Sequence, residues 1–178
     1  MSIPNLDQSY FELFDFEESF ALDRAALDDR YRGLQKAFHP DRFAGGTDRQ
    51  KRFSVQFSSF LNQAHQTLKK SLSRSLYLLS LKGIDIEKYA RDHSDKSFLV
   101  RQMELREELE AIALQKEVEP ALEAFLLEIT REYRGVKQKL AACFESSELE
   151  KAATATVKLQ FLDKLRQEAE ELEAELDY

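Results

Sequence analysis

Apolar residues recur at helical intervals along most of this 178-residue chain, and that spacing limits the possible folds more than any other feature. Leu27, Tyr31, Leu34 and Phe38 stand at positions i, i+4, i+7 and i+11, which places them on one face of a helix. With only 5 glycines and 3 prolines, the chain has few residues suited to the turns of a many-stranded sheet. The sequence predicts an all-α protein.

The first long helix is predicted to end at Phe38, because Pro40 disfavours helical geometry at His39. A second helix follows, with Thr47 or Asp48 as its N-cap. Two helices joined by a loop of about nine residues most simply form an antiparallel hairpin. The stripe of the second helix comprises Phe53, Phe57, Phe60, Leu61, Ala64 and Leu68.

The second half of the chain repeats the helical pattern in three longer segments. Short connections between them favour an antiparallel three-helix bundle. Pro120 suits the first turn of the second of these helices, and Ser147 with Glu150 fits a capping box before the third. The predicted helices cover residues 97–116, 120–144 and 147–176.

A short apolar segment and a polar stretch separate the hairpin from the bundle. Residues 71–81 predict a short helix, which Lys82 and Gly83 end. Residues 85–96 are polar and mixed in charge, and we interpret them as a linker. The predicted organisation is therefore a first domain over residues 1–84, a linker over 85–96 and a bundle domain over 97–178.

The formal net charge of −7 is divided unevenly along the chain. Residues 1–96 carry a net charge of +1 and residues 97–178 carry −8, so the two halves are expected to bind different partners. No basic excess is present to neutralise phosphates, which disfavours binding to nucleic acid. Acidic residues precede the first basic one, Arg24, and no apolar run approaches a membrane span, so we expect a cytoplasmic protein without an export signal.

The candidates for metal binding are weak. A single cysteine, Cys143, can form neither an internal disulfide nor a thiolate metal site. His39, Asp41 and His65 lack the spacing of metal ligands, and His65 and His93 are interpreted as structural or solvated. The sequence predicts no metal ion, no cofactor and no catalytic residue.

The most unusual local feature is the tripeptide His39-Pro40-Asp41 at the predicted tip of the hairpin. By itself it fits a solvated turn, in which Pro40 stops a helix and Asp41 makes a turn hydrogen bond. Between positions 30 and 42, however, cations outnumber the single acid Asp41. A positive patch beside a rigid loop is suited to an acidic protein surface. The cations are Arg30, Arg32, Lys36 and Arg42.

The helix predicted over residues 97–116 has apolar residues on two faces. At about 100° per residue, one group surrounds Leu105 and forms the core stripe, while a second group points away from it. Either another part of the chain covers this second face, or it is an apolar patch rimmed by acid, which is typical of a protein-binding surface. The second face comprises Leu99, Val100, Met103, Glu104 and Glu107.

The tripeptide between two helices resembles the His-Pro-Asp loop that defines the J domain of DnaJ-type co-chaperones. Downstream motifs closely resemble the HscB family of iron–sulfur co-chaperones, in which a J domain is joined to a C-terminal three-helix bundle. Together the motifs cover essentially the whole chain. The downstream motifs stand at residues 75–83, 98–109 and 158–165.

The resemblance implies a co-chaperone that catalyses no covalent chemistry itself. Its J domain would bind a DnaK-like ATPase chaperone (HscA type) and favour ATP hydrolysis through His39, Pro40, Asp41 and the surrounding cations. Its bundle would hold an iron–sulfur scaffold protein (IscU type) on the second helix face together with Phe161. Periodicity alone favours a core position for Phe161, and Ala111 departs from the family by lacking a carboxylate.

Two other functions stay open. An enzyme could use His39 as a general base oriented by Asp41, although a hairpin tip offers no pocket to exclude water. A general J-type co-chaperone could hold unfolded clients, although the Gly/Phe-rich linker and the cysteine-rich zinc region of such proteins are missing from the sequence.

Overall fold

The structure, a computed structural model, describes residues 6–93 and 95–176, and every regular element within those ranges is a helix. The predicted all-α fold is confirmed. The chain divides into two compact units, Met1–Leu78 and Leu79–Tyr178. The boundaries 1–84, 85–96 and 97–178 stay a prediction. The α-helices are α1 (Tyr10–Leu13), α2 (Arg24–Phe38), α3 (Asp48–Lys69), α4 (Ser71–Leu81), α5 (Ile86–Asp92), α6 (Lys96–Ala113), α7 (Val118–Glu145) and α8 (Leu149–Leu176).

In the first unit, α2 and α3 form an antiparallel hairpin. The ring of Phe38, at the end of α2, lies 4.7 Å from that of Phe57 between centroids. The ring of Tyr31, earlier in α2, stacks at 4.1 Å on that of His65, later in α3. This opposite order of contacts defines an antiparallel pair, as the two apolar stripes predict. The buried apolar residues of the unit include Phe11, Phe14, Leu27, Phe57, Leu61, Ala64 and Leu68.

Polar contacts hold the short helix α1 and the residues after it against this unit. The backbone N–H of Tyr10 donates to the hydroxyl oxygen of Tyr77 at 2.9 Å. The guanidinium of Arg30, on α2, donates to the backbone carbonyls of Phe14 and Asp15. These contacts satisfy polar groups that burial would otherwise leave without partners.

In the second unit, α6, α7 and α8 form the predicted three-helix bundle. Its core contains aliphatic and aromatic residues from all three helices, which explains why each helix carries an apolar stripe. The fully or nearly buried members are Leu105, Ile112, Leu122, Phe125, Ile129, Phe161, Leu162, Leu165 and Ala169.

The stretch interpreted as a linker contains a helix, α5, which the sequence analysis did not predict. Its N-cap is Asp85, whose carboxylate accepts the backbone N–H of Lys88 at 3.1 Å. The hydroxyl of Tyr89 donates to the carbonyl of Glu150 at 3.0 Å and lies 2.9 Å from the hydroxyl oxygen of Thr154. With only seven residues, α5 is too short to show a clear stripe, and its contacts with α8 stabilise it.

The predicted capping box at Ser147 is wrong. Ser147 adopts a left-handed conformation with φ of 58° and ends α7 instead of starting α8. Its N–H donates to the carbonyl of Phe144 at 3.2 Å, and the N–H of Glu148 donates to that of Cys143 at 2.9 Å. This pair of bonds is a Schellman motif, which satisfies carbonyls at a helix end. Cys143 is half-buried.

Candidate functional site

The tripeptide His39-Pro40-Asp41 links the end of α2 to a one-turn 3-10 helix, Pro40–Phe43. His39 leaves helical geometry with φ of −58° and ψ of 134°, as the residue before a proline is expected to do. The side chains of His39 and Asp41 are 50% and 89% exposed. The tripeptide is therefore an accessible loop, and it is not enclosed in a pocket.

Hydrogen bonds within the loop orient the imidazole of His39. The backbone N–H of Asp41 donates to its Nδ1 at 3.3 Å, and the carboxylate of Asp41 lies 3.5 Å from the same nitrogen. The amide contact is the shorter of the two, and an N–H can donate to Nδ1 only when Nδ1 carries no proton. In that arrangement the N–H of the imidazole is on Nε2, which is the ring nitrogen left to donate to a partner.

Of the four cations predicted around the loop, three have partners within the first unit. Arg30 binds the carbonyls described above, and its guanidinium lies 4.3 Å from the ring centroid of Phe16. Arg32 forms an ion pair with Asp29. Arg42 donates to the carbonyl of Lys36 at 3.1 Å and so braces the loop against the end of α2.

The interpretation of His65 as structural agrees with its position between α2 and α3. Its side chain is 7% exposed, and Nε2 lies 2.6 Å from the carboxylate of Asp28. The hydrogen bond from His65 and the nearby ammonium of Lys69 lower the pKa of Asp28 from its ordinary value. His93, in contrast, is exposed and stacks on the ring of Tyr89 at 4.2 Å.

The second face of α6 is exposed, which answers the question that periodicity left open. Leu99, Val100 and Met103 are 46%, 55% and 62% exposed. Glu104 and Glu107 are also exposed, so the patch has an acidic rim. We call these five residues the α6 face. They combine apolar area with charge, as protein-binding surfaces often do.

An ion-pair network fixes one edge of the α6 face to α7. Arg101 donates to the carboxylates of Glu128 and Glu132, each at 2.6 Å, and lies 3.7 Å from Glu104. The hydrogen bond that Arg101 donates to Glu132 is the main reason that the pKa of Arg101 is raised. The spacing of Arg101 and Glu104 on one helix is visible in the sequence, but Glu128 and Glu132 lie about thirty residues away on another helix, and only packing brings them to Arg101.

The start of α6 is fixed by a second group of contacts. The carboxylate of Asp95 accepts the N–H of Ser97 at 3.0 Å and that of Phe98 at 3.3 Å, and it lies 3.2 Å from the ammonium of Lys158 on α8. Hydrogen bonds from the Ser97 hydroxyl and from Lys158 lower the pKa of Asp95 to about 2. An aspartate just before the apolar pattern is a sequence signal for an N-cap that could have identified this position.

Phe161 differs from the other predicted scaffold-binding residues because it is buried. It is 9% exposed and belongs to the bundle core. Its ring meets that of Phe98 edge to face at 5.7 Å, and the guanidinium of Arg106 lies 5.9 Å from its centroid. Phe161 therefore packs against α6 from within the bundle core, which is the position that the periodicity of α8 indicates.

Within the described ranges 6–93 and 95–176, no three His, Cys, Asp or Glu side chains come together in a way that could hold a metal ion. In the same part of the chain, no helix is long and apolar enough to cross a membrane.

Comparison with known proteins agrees with this architecture. Residues 94–170 match the family described as the HSCB C-terminal oligomerisation domain. The co-chaperone protein HscB homologue of Shewanella loihica is 44% identical over 170 residues, which cover 93% of this chain and 97% of that protein. The corresponding homologue of Vibrio cholerae is 42% identical over 168 residues, 94% of this chain and 98% of that protein.

Solved structures of similar proteins superpose over nearly the whole chain. The structure of chaperone HscB from Vibrio cholerae matches with a TM-score of 0.84 and 41% identity, covering 95% of this chain and 99% of that one. The crystal structure of human co-chaperone protein HscB matches with a TM-score of 0.87 and 30% identity, covering 96% of this chain and 84% of the human one.

The helical hairpin with its exposed His-Pro-Asp loop, joined to a three-helix bundle, defines a J-type co-chaperone. The two homologues described above match more than nine-tenths of the chain, and both are HscB co-chaperones, one family within this class. The chain belongs to the HscB family, the co-chaperones of iron–sulfur cluster assembly.

Proposed function

We propose that this co-chaperone stimulates the ATPase of a dedicated DnaK-like chaperone (HscA type). The observation that carries the proposal is the exposed and internally braced loop His39-Pro40-Asp41. A regulator shifts an equilibrium only by binding one state more tightly than the other. A loop whose donor and acceptor groups are already oriented can do so at little entropic cost.

The cations around the loop divide into two groups in this proposal. Lys36 contacts the ATPase chaperone directly, because its exposed ammonium has no partner in the described ranges. Arg30, Arg32 and Arg42 contribute to the positive field, and Arg42 also holds the loop in place. Since the contacts are exposed, their effect on binding should fall as salt is added.

The bundle binds an iron–sulfur scaffold protein (IscU type) on the α6 face. Leu99, Val100 and Met103 supply apolar area, while Glu104 and Glu107 select a basic partner surface. Phe161 acts through the position of α6. The two partners bind different units of one chain, so each raises the effective concentration of the other. The protein then works in the cytoplasm as a carrier and regulator without catalysing a covalent step.

The loop is tested by His39→Gln, which keeps an acceptor near the N–H of Asp41 but replaces the imidazole. Stimulation of a purified HscA-type ATPase should fall to the unstimulated rate, while far-UV circular dichroism stays unchanged because His39 is half-exposed. Gln35→Asn, on exposed α2 surface, serves as the control. Normal stimulation by the His39 variant would contradict the proposed function of the loop.

The α6 face is tested by the double substitution Leu99→Ala and Met103→Ala. Apolar residues at the centre of an interface typically contribute about 1–4 kcal/mol each, so affinity for the scaffold should fall at least about thirtyfold. The matched control is Leu127→Ala with Leu176→Ala, two leucines that are 51% and 40% exposed on α7 and α8. Equal scaffold binding by both double variants would exclude the α6 face.

A further inference from the structure

The unpaired cations at the hairpin tip lie mostly on α3, although the sequence directs attention to α2. Arg49, Lys51 and Arg52 occupy the first two turns of α3, and all three are exposed. Among residues 6–93 and 95–176, their side chains have no ion pair or hydrogen bond, and the same holds for Lys36. A cation with no partner inside its own domain can bind another protein without breaking an existing contact, and no neighbouring acid partly neutralises its charge.

The position of Lys51 on α3 follows from the contacts of two residues further along the helix. Asn62 and Lys69 follow it by 11 and 18 residues, which brings all three to within about 20° of one another. Asn62 accepts a hydrogen bond from the hydroxyl of Tyr31 at 2.8 Å, and Lys69 lies 4.0 Å from Asp28, so this edge of α3 faces α2. Lys51 continues the same edge towards the tripeptide.

An apolar residue completes this edge. Val55 lies one turn after Lys51 and is 59% exposed, whereas the other apolar side chains of α3 are buried or half-buried. Arg52 is also exposed and, at about 100° per residue, lies about 60° beyond Val55 on the side away from Lys51. Cations beside an exposed apolar side chain are suited to an acidic protein surface with an apolar centre.

The start of α3 is held rigidly relative to the tripeptide. The N–H of Gly46 donates to the carbonyl of Phe43 at 2.9 Å, and Thr47 with Gln50 forms a capping box. A Cβ at Gly46 would lie 3.2 Å from the carbonyl oxygen of Phe43 and 2.8 Å from the side chain of Gln50, so the turn is tight. A partner that contacts the tripeptide therefore meets α3 in one fixed orientation.

We propose that the first two turns of α3 form a second contact strip for the ATPase chaperone, made of Lys51, Arg52 and Val55 and continuous with the loop. The strip rests on the proposed function of the loop and adds a distinct role to it. His39-Pro40-Asp41 changes the state of the chaperone, whereas the strip supplies affinity and binds acidic surface. Substitutions in the strip should therefore change the co-chaperone concentration that gives half-maximal stimulation, without changing the maximal ATPase rate.

The test is charge reversal at Lys51 and Arg52, with the full chain titrated into an HscA-type ATPase. The concentration for half-maximal stimulation should rise about tenfold at low ionic strength and much less at high ionic strength, with the maximal rate unchanged. Val55→Ala should raise the concentration for half-maximal stimulation about threefold at either ionic strength, because it removes apolar contact area and no charge. Acids near a helix N-terminus are favourable, so the reversed variant should keep its helical circular dichroism.

The matched control is reversal of Lys88 and Arg91, two exposed cations on α5 that make the same change in net charge. A half-maximal concentration as high for this control as for the α3 variant would overturn the strip. So would an α3 variant that titrates like the unaltered chain while His39→Gln still abolishes stimulation. If the unaltered chain does not stimulate the ATPase at all, the proposed function itself fails, and the two failures are thereby distinguished.

Discussion

Replacing Phe161 by alanine tests whether this side chain is core or interface. Its ring is 9% exposed, and it packs edge to face on Phe98, a contact that itself contributes about 0.5–1.5 kcal/mol. Truncation of a buried phenylalanine costs about 3–5 kcal/mol in free energy of unfolding. For a bundle of this size, that loss should lower the melting temperature by at least about 12 °C.

The assay is thermal and urea unfolding followed by far-UV circular dichroism, since the chain has no tryptophan to report by fluorescence. Leu127→Ala on α7 is the control, and its exposed side chain should change the free energy of unfolding by less than about 0.5 kcal/mol. Phe161→Leu should recover most of the lost stability because it refills much of the cavity.

Scaffold binding by Phe161→Leu separates the two roles of this residue. If Phe161 only supports α6, the leucine variant should bind the scaffold within about twofold of the unaltered chain, at a temperature where both are folded. The reasoning is refuted if Phe161→Ala melts like the unaltered chain and yet loses scaffold binding. Phe161 would then be a contact residue, and its place in the bundle core would be wrong.

Three further predictions concern stability. Asp95→Asn should lower the melting temperature at neutral pH, because the lowered pKa of Asp95 means that its charge stabilises the fold above pH 3.8. The difference should shrink as the pH falls from 3.8 and vanish below about 2, which melting curves over this pH range can measure. Ser147→Gly should raise the free energy of unfolding by about 0.5–1 kcal/mol in urea titrations, because glycine adopts the left-handed conformation without strain, and a decrease would contradict the assigned φ of 58°. Arg30→Ala should lower the melting temperature of the first unit, because the carbonyls of Phe14 and Asp15 lose their donor, and an unchanged melting curve would contradict those bonds.

Much of the candidate site could be predicted because its signals are local in sequence. Pro40 restricts His39 whatever the rest of the fold does, and the exposed loop is where the sequence predicts it. The outward angle of Leu99 and Met103 follows from helical geometry alone. Only the tertiary structure shows that this face is exposed, because sequence spacing contains no information about neighbouring elements.

The errors occurred where short elements depend on distant contacts. Helix α5 was missed within residues 85–96 because seven helical residues do not show a clear stripe, and its contacts with α8 through Tyr89 lie more than sixty positions away in sequence. The sequence around Ser147 matches a capping box for the start of α8. Ser147 instead belongs to the Schellman motif that ends α7, in which the carbonyls of Cys143 and Phe144 accept backbone N–H groups.

The sequence by itself determined the helical class, the hairpin with its His-Pro-Asp loop and the stripes of the bundle, because periodicity and proline act on neighbouring residues. Tertiary structure decided which of several charges are free. The ion pair of Arg32 with Asp29 is local in sequence, but the carbonyls of Phe14 and Asp15 that bind Arg30 come from outside α2. Lys51 and Arg52, in contrast, have no partner in the described ranges. Charge is a property of the residue, but its availability to a partner depends on what packs beside it in three dimensions.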